Sequence, residues 1–196
     1  VDVSFYQGSI DWKQVKKAGV TFAILRIGYR GYSNGTLCRD SKFDEYYKGA
    51  KAAGIKVGAY IFSQAINRKE AREEANFCLK ILNGRKLDYP IMYDPESILY
   101  AKARTDNVTG EQFTKNTKTF CRTIDEAGYE FGVYANLKWQ AYKLEMHKIK
   151  DIPMWYADYE KKPQTPYAFT YWQYSSQASI PGISGRCDIN IEMVPA

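Results

Sequence analysis

The chain has 196 residues, which is enough for one domain with a hydrophobic core. Its 28 basic and 22 acidic side chains give a formal charge of +6, which is compatible with an anionic polymer, a nucleic acid or an anionic membrane surface as partner, and equally with plain solubility. No apolar run approaches the roughly 20 residues that a membrane-spanning helix needs, so we expect no membrane insertion.

One pattern occurs three times along the chain: a polar, helix-forming segment ends in Ala-Gly, and an apolar strand follows at once. It is found at residues 16–26, 51–62 and 125–135. In each copy the glycine (Gly19, Gly54 or Gly128) stands where a helix would end in the left-handed conformation. Helices that alternate with strands in this way are typical of a parallel α/β sheet.

Apolar runs predict eight strands, near residues 1–6, 21–29, 56–63, 89–94, 130–136, 153–159, 169–175 and 187–193. Helical periodicity predicts helices over 41–53 and 68–82 and a third that opens at Thr109, which stands at capping-box distance from Gln112. Eight strands favour a closed barrel. Because no helix is predicted between the last three strands, we expect a single α/β domain with five β/α units followed by three strands.

The fourth predicted strand ends in two acids, within Pro-Ile-Met-Tyr-Asp-Pro-Glu-Ser at residues 90–97. Asp94 and Glu96 are two positions apart, so on an extended chain they point the same way, about 6.6 Å apart along the backbone. Catalytic groups of a parallel barrel lie where its strands end. Glycoside hydrolysis needs two carboxyl groups in one pocket, one protonated and one ionised. The competing interpretation is a strand-end acid pair that binds a lysine or a helix N-terminus.

Two further acids, Asp2 and Asp188, lie on the first and last predicted strands. These two strands are neighbours in a closed barrel. Because an unpaired acid on a buried strand is costly, we expect both acids to be paired or functional.

The motifs of the chain, taken in order, resemble those of the family 25 glycoside hydrolases, the lysozymes that cleave peptidoglycan. No single motif is decisive, but their order over nearly the whole chain is specific. The motifs are D-V-S-x-x-Q-G (2–8), A-I-L-R-I-G-Y (23–29), L-x-x-D-x-x-F (37–43), G-A-Y-I-F-S-Q-A (58–65), E-A-x-x-E-A (70–75), Y-D-P-E (93–96), G-V-Y-A-N (132–136), W-Y-A-D-Y (155–159), Y-W-Q-Y-S (171–175) and D-I-N (188–190).

The resemblance implies a flattened, irregular (β/α)5(β)3 barrel that hydrolyses the β-1,4 bond between N-acetylmuramic acid and N-acetylglucosamine. By position, Glu96 is the proton donor to the leaving sugar and Asp94 is its ionised partner. Asp2 and Asp188 complete an acidic floor that raises the pKa of Glu96 and orients Asp94 or the substrate. By analogy, the N-acetyl group of muramic acid attacks while Asp94 steadies its amide, so configuration is retained. No metal and no organic cofactor is implied.

Sugar rings stack on aromatic faces, so a glycan groove needs Tyr or Trp beside the acids. Five such residues lie on strands near the same end of the predicted barrel: Tyr60, Tyr134, Trp155, Trp172 and Tyr174. Strand alternation turns about half of them towards the core instead. Tyr60, Tyr134 and Trp155 are the first candidates for substrate binding. Gln173 is a candidate for an acetamido group, with a structural hydrogen bond as the alternative.

One position departs from the family pattern: between Asp94 and Glu96, where the family usually has an aliphatic residue, stands Pro95. Proline removes a strand N–H and could displace Glu96. Two alternative functions stay open, the first because of Pro95 and the second because the sequence does not decode the groove loops that choose the substrate. One is a glycan-binding module on the same barrel with weakened catalysis, and the other is a hydrolase of another N-acetylated glycan such as chitin.

The single histidine and the four cysteines suggest no second chemistry. His147 lies in a polar stretch without other metal ligands, so we expect it to be solvated. Cys78 and Cys121 are expected on neighbouring helices, and Cys38 and Cys187 near neighbouring strands. Each pair can be two free thiols or a disulfide bond, which geometry must decide.

Bacterial peptidoglycan is the expected partner, and the basic surplus would favour an anionic wall. We expect no nucleic-acid binding, because the acids concentrate where a groove would lie and no recognised motif is present. The chain begins at Val1 without an initiator methionine, so we expect residues 1–196 to be one catalytic domain excised from a longer precursor. We expect it to be monomeric and to act outside the cell or in the cell wall. The sequence does not distinguish a phage endolysin, an autolysin and a secreted lysozyme.

Overall fold

The computed structural model describes residues 1–193, so residues 194–196 of the predicted domain lie outside it. The described part contains nine strands, β1 (Asp2–Val3), β2 (Phe22–Arg30), β3 (Leu37–Arg39), β4 (Lys56–Ser63), β5 (Ile91–Pro95), β6 (Phe131–Asn136), β7 (Met154–Ala157), β8 (Tyr171–Ala178) and β9 (Cys187–Glu192). It contains five α-helices, α1 (Trp12–Lys17), α2 (Phe43–Ala52), α3 (Arg68–Leu82), α4 (Gly110–Glu126) and α5 (Leu137–Tyr142).

Eight of the strands close into a barrel in the order β1-β2-β4-β5-β6-β7-β8-β9, and β9 returns to β1. Neighbouring strands from β1 to β8 are parallel, whereas β9 runs antiparallel to both β8 and β1. A helix follows each of the first five barrel strands, and no α-helix separates β7, β8 and β9. The predicted irregular (β/α)5(β)3 barrel is confirmed.

Two local features differ from the sequence prediction. The first strand ends at Val3 instead of residue 6, because Ser4 and Gln7 form a capping box that starts a short 3-10 helix over Phe5–Gln7. The short strand β3 pairs antiparallel with the end of β2 as a hairpin outside the barrel. The 3-10 helix lies at the barrel mouth, where Tyr6 and Gln7 form part of the wall of the site.

The predicted helix ends are confirmed. Gly19, Gly54 and Gly128 have φ angles of 93°, 70° and 78°, in the left-handed region that favours glycine. Thr109 caps α4 by accepting the backbone N–H of Gln112 at 3.2 Å. These stops let each helix turn directly into the next buried strand.

Two apolar clusters fill the fold. The larger lies between the barrel and its helices and includes Val57, Ile91 and Phe120. The smaller lies inside the barrel: Phe22, Ile24, Tyr89, Met92, Tyr134, Trp155, Ala157 and Tyr171, with Tyr60 packed against it. Because neighbouring residues on a strand face opposite sides, β2 and the strands from β4 to β8 supply both clusters, whereas β1 and β9 supply the larger one alone. The inner cluster ends below the barrel mouth.

The remaining sequence questions have simple outcomes. All four cysteines lie within residues 1–193 and are free thiols, so neither disulfide left open by the sequence is formed there. His147 is exposed on a short 3-10 helix, as predicted. Among residues 1–193, no helix combines the length and apolarity needed to cross a bilayer.

Candidate active site

All eight predicted site residues line one cavity of about 340 Å³ at the barrel mouth. They are Asp2, Tyr60, Asp94, Glu96, Tyr134, Trp155, Gln173 and Asp188. The strands that carry them span the whole chain, from β1 to β9, and barrel closure brings them together: Asp2 and Asp188 face each other in the β1–β9 pair. The other two aromatic candidates do not line it. Trp172 packs on the outer cluster, with Tyr174 beside it.

The backbone that carries the acid pair is held from the neighbouring strand. Gln64, which follows β4 and is fully buried, donates from Nε2 to the carbonyl oxygen of Glu96 at 2.7 Å. Its other amide atom accepts the hydroxyl of Thr105 at 2.9 Å. The side-chain amide of Gln64 thereby links the end of β4 to the segment that follows β5.

Pro95 fits the end of β5 without disrupting the pairing with β6. That pairing runs from Ile91 to Tyr93 and stops, whereas β4 stays paired as far as Pro95. The missing N–H of Pro95 therefore removes no bond to β6. The structure gives a physical reason why proline is tolerated between the two acids.

The electrostatics of the cavity are those of crowded, poorly hydrated acids. Burial, with the charge of Asp2 adding to it, raises the pKa of Glu96 to about 7, against a lowering hydrogen bond from the Tyr134 hydroxyl. Burial and then the charges of Glu96 and Asp2 raise the pKa of Asp94 well above its ordinary value. Burial and then Asp2 raise the pKa of Asp188 to about 7. Four acids in this setting cannot all be ionised at neutral pH, so at least one proton is available for transfer.

Asp2 and Asp94 differ in their hydrogen bonds. Asp2 Oδ2 accepts from Gln173 Nε2 at 3.0 Å and from Asn190 Nδ2 at 2.9 Å. Asn190 is in turn fixed by the indole N–H of Trp155 at 2.8 Å. Asp94 Oδ1 is buried and has no hydrogen-bond partner among residues 1–193. Asp2 is thus held by the protein, and Asp94 keeps one acceptor unused.

Gln173 is occupied at both ends of its amide group. Its Nε2 donates to Asp2, and its Oε1 accepts from the hydroxyls of Tyr159 at 2.8 Å and Tyr134 at 3.3 Å. This arrangement matches the structural alternative for Gln173. A direct role towards an acetamido group stays a prediction.

The aromatic side chains form a floor and a rim. Trp155 is buried and packs edge-on against Tyr60 and Tyr134, with ring centroids 5.8 and 4.9 Å apart. The rings that remain open to a ligand at the rim are those of Tyr6 and Tyr159, which are 76% and 55% exposed. The sequence analysis selected neither rim residue.

Five residues that shape the site were missed, namely Tyr6, Arg26, Gln64, Tyr159 and Asn190. The only signal was that each lies in or beside a polar break within an apolar motif, for example Arg26 in Ala-Ile-Leu-Arg.

Among residues 1–193, no three His, Cys, Asp or Glu side chains are grouped as ligands for a metal ion.

Comparison with known proteins agrees with this geometry. The family described as glycosyl hydrolases family 25 matches residues 1–183. The autolytic lysozyme of Clostridium acetobutylicum is 29% identical over 192 residues, which are 97% of this chain and 54% of that protein. This chain thus spans about half the length of that relative.

Two solved structures superpose closely on the barrel. The modular autolysin LytC from Streptococcus pneumoniae, in complex with a synthetic peptidoglycan ligand, is 27% identical with a TM-score of 0.85, over 97% of this chain and 45% of that one. The bacterial lysozyme from Streptomyces coelicolor is 25% identical with a TM-score of 0.84, over all of this chain and 92% of that one. The chain belongs to family 25 of the glycosyl hydrolases.

Proposed function

We propose that this chain is an N-acetylmuramidase that hydrolyses the β-1,4 bond between N-acetylmuramic acid and N-acetylglucosamine in bacterial peptidoglycan. The observation that carries the proposal is the pairing of Glu96 and Asp94 in one cavity, with the pKa of Glu96 raised to about 7. A carboxyl group with that pKa is substantially protonated at neutral pH and regenerates readily after donating its proton. Family membership and relatives named as lysozymes and autolysins support the choice of glycan.

Glu96 is the general acid in this proposal. Its proton passes to the glycosidic oxygen as the bond to the sugar carbon breaks, and the electron pair of that bond stays with the leaving sugar. The acetamido oxygen of muramic acid attacks the same carbon and forms a cyclic oxazolinium intermediate. Water then adds to that carbon as its bond to the acetamido oxygen breaks and the electron pair returns to the acetamido group. The Glu96 carboxylate takes a proton from the water, which restores the acid, and configuration is retained overall.

Asp94 is the partner of the acetamido group. In this role its unused Oδ1 accepts the amide N–H, which increases the nucleophilic character of the acetamido oxygen. Burial raises the pKa of Asp94 in the free site, but an N–H donor and the positive charge of the intermediate both favour its ionised form. Burial and the negative charge of Asp2 keep the proton on Glu96 until substrate binds.

The wider setting follows from the same proposal. Residues 1–196 act as one catalytic domain on peptidoglycan, outside the cell or in the cell wall, as a monomer and without nucleic acid. The formal charge of +6 favours an anionic wall. Pro95 gives no support to the alternative of a binding module with weakened catalysis, because the pairing of β5 with β6 has ended before it.

The product identifies the bond that is cleaved. Purified peptidoglycan is digested, the new reducing ends are converted to alditols with borohydride, and the sugars are identified by mass spectrometry, with Glu96→Gln as the matched inactive control. We expect muramic acid at the reducing ends from the wild-type chain alone. Glucosamine at those ends, or faster cleavage of chitin oligosaccharides, would contradict the proposal, and wall binding without cleavage would favour the binding module.

A further inference from the structure

A second cavity of about 440 Å³ adjoins the first and shares Tyr6, Arg26, Phe62 and Glu96 with it. The two are therefore compartments of one groove that passes Glu96. The outer compartment is lined by further aromatic side chains, among them Tyr32 and Tyr100, whose ring centroids are 6.0 Å apart. Arg26 is the only cation that lines the inner compartment within the described residues, and it lies at the boundary between the two.

The guanidinium group of Arg26 is fixed in place. Its Nε donates to Asp40 Oδ2 at 2.8 Å, and the Asp40 side chain is completely buried. Asp40 also accepts the backbone N–H groups of Phe5 at 3.1 Å and Lys42 at 2.9 Å. The guanidinium carbon lies 4.9 to 5.3 Å from the ring centroids of Phe5, Tyr6 and Tyr29.

Most of the hydrogen-bonding capacity of this cation is unused. Nη2 is buried without a partner, and Nη1 donates to no atom of residues 1–193. The side chain as a whole is only 11% exposed. Buried donors without partners are rare in folded proteins, and a rigid guanidinium fork suits a carboxylate or carbonyl acceptor.

Arg26 and Asp94 line the same compartment, and each keeps an unused hydrogen-bonding group of opposite type: donors on Arg26, an acceptor on Asp94. N-acetylmuramic acid carries the complementary pair on adjacent ring carbons. Its acetamido N–H is on C2, and its lactyl group, with a carboxylate or a peptide-linked carbonyl, is on C3. N-acetylglucosamine has the first group but only a hydroxyl on C3.

We propose that Arg26 binds the lactyl carboxylate or carbonyl of muramic acid and so selects muramic acid over glucosamine for the sugar whose bond is cleaved. This inference rests on the proposed function. It assigns Asp94 to the group that both sugars share and Arg26 to the group that only muramic acid has. The outer compartment gives the lactyl branch and its peptide a path out of the site.

The test measures binding by calorimetry to the full chain carrying Glu96→Gln, which prevents turnover. The ligands are a peptide-free tetrasaccharide of alternating glucosamine and muramic acid, both N-acetylated, and chitotetraose. We expect Arg26→Gln, added to this background, to raise the Kd of the muramic ligand about ten- to a hundredfold. The Kd of chitotetraose should rise less than about twofold. The double change Arg26→Gln with Asp40→Asn, which leaves no unpaired buried charge, should give the same pattern if the single variant folds poorly. Arg39→Gln is the matched control, because that arginine lines neither compartment.

A second measurement changes the ligand and leaves Arg26 in place. Reducing the lactyl carboxyl group to an alcohol should raise the Kd of the muramic ligand by a similar factor. Equal losses for both ligands, or no loss with the reduced ligand, would overturn the inference and leave Arg26 a positioning residue for Asp94. If the wild-type chain releases muramic ends from peptidoglycan while these losses are equal, the inference alone fails. If it releases none and the muramic ligand does not bind, the proposed function fails and the inference with it.

Discussion

Two buried acids in this barrel, Glu74 on the outside and Asp94 at the mouth, differ in their partners. Both oxygens of Glu74 are bonded: Arg30 Nε lies 2.8 Å from Oε1, and the Ser63 hydroxyl lies 2.7 Å from Oε2. Asp94 Oδ1 has no partner among residues 1–193. Glu74 therefore links helix α3 to strands β2 and β4 through hydrogen bonds, whereas Asp94 Oδ1 makes no such link.

The comparison shows that a raised pKa does not by itself identify a catalytic acid. Burial raises the pKa of Glu74 to about 7 although Ser63 and Arg30 oppose it, and burial raises the pKa of Asp94 as well. The difference lies in the hydrogen bonds. A buried acid with all its partners stabilises the fold, whereas one without them can bind a substrate group.

Glu96→Gln gives the largest expected effect and removes the proton without removing the shape. We expect kcat on peptidoglycan to fall about 10³-fold or more, because general acid catalysis is lost. Dye release from labelled walls measures this, and thermal unfolding should show an intact fold. Activity within tenfold of wild type would exclude Glu96 as the acid.

Glu74→Ala removes the buried acid that is paired with Arg30. The change leaves Arg30 buried beside a missing partner, so we expect the free energy of unfolding to fall by about 3 to 5 kcal/mol, measured with urea. The folded fraction should keep its kcat.

Glu73→Ala is the matched control on the same helix. Its carboxylate is 43% exposed and pairs with the same arginine, so we expect a loss of about 0 to 1 kcal/mol. Equal effects of the two changes would contradict a structural role for the buried pair.

Asp94→Asn keeps the shape of the unpartnered acid and removes its charge. We expect kcat to fall about 10²-fold, because the acetamido group loses its anionic partner. The free energy of unfolding should stay the same or rise, since no ion pair is broken and burial already disfavours the charged form of Asp94. A stability loss as large as that of Glu74→Ala would show that Asp94 has a structural partner after all.

The pH dependence of stability tests the raised pKa of Glu96 in the folded chain. Because folding raises the pKa of Glu96 from 4.5 to about 7, the folded chain binds this proton more tightly. Its contribution is fully present below the unfolded pKa and is lost as the pH rises through 7. Between pH 5 and pH 8, wild type should therefore lose about 1 to 3 kcal/mol more stability than Glu96→Gln. Parallel curves for the two proteins would contradict the raised pKa.

The barrel was predictable because its signals are local. A helix that ends in Ala-Gly before an apolar strand can be read within about a dozen residues, and Gly19, Gly54 and Gly128 do adopt the expected conformation. The early end of β1 was not predicted, because a capping box between Ser4 and Gln7 competes with an equally plausible strand.

The site was predictable for its acids and only partly for their surroundings. Asp94, Glu96, Asp2 and Asp188 stand out as acids on apolar strands. Asn190, by contrast, is defined by a hydrogen bond to a residue 188 positions away, which no local pattern encodes. For the same reason, the two alternatives for Gln173 could be weighed only once Asp2 and Tyr159 were placed beside it.

The most direct test of the central claim, that Glu96 donates the proton, compares two leaving groups in the same chain. One substrate is peptidoglycan, and the other is a 4-nitrophenyl glycoside of the glucosamine–muramic acid disaccharide, whose phenol leaves without a proton. We predict that Glu96→Gln lowers the rate on peptidoglycan about 10³-fold or more. It should lower the rate of the pre-steady-state burst of nitrophenol, which precedes the attack of water, less than about tenfold. Equal losses on both substrates would contradict the account, because Glu96 would then act on the sugar and not on the leaving group.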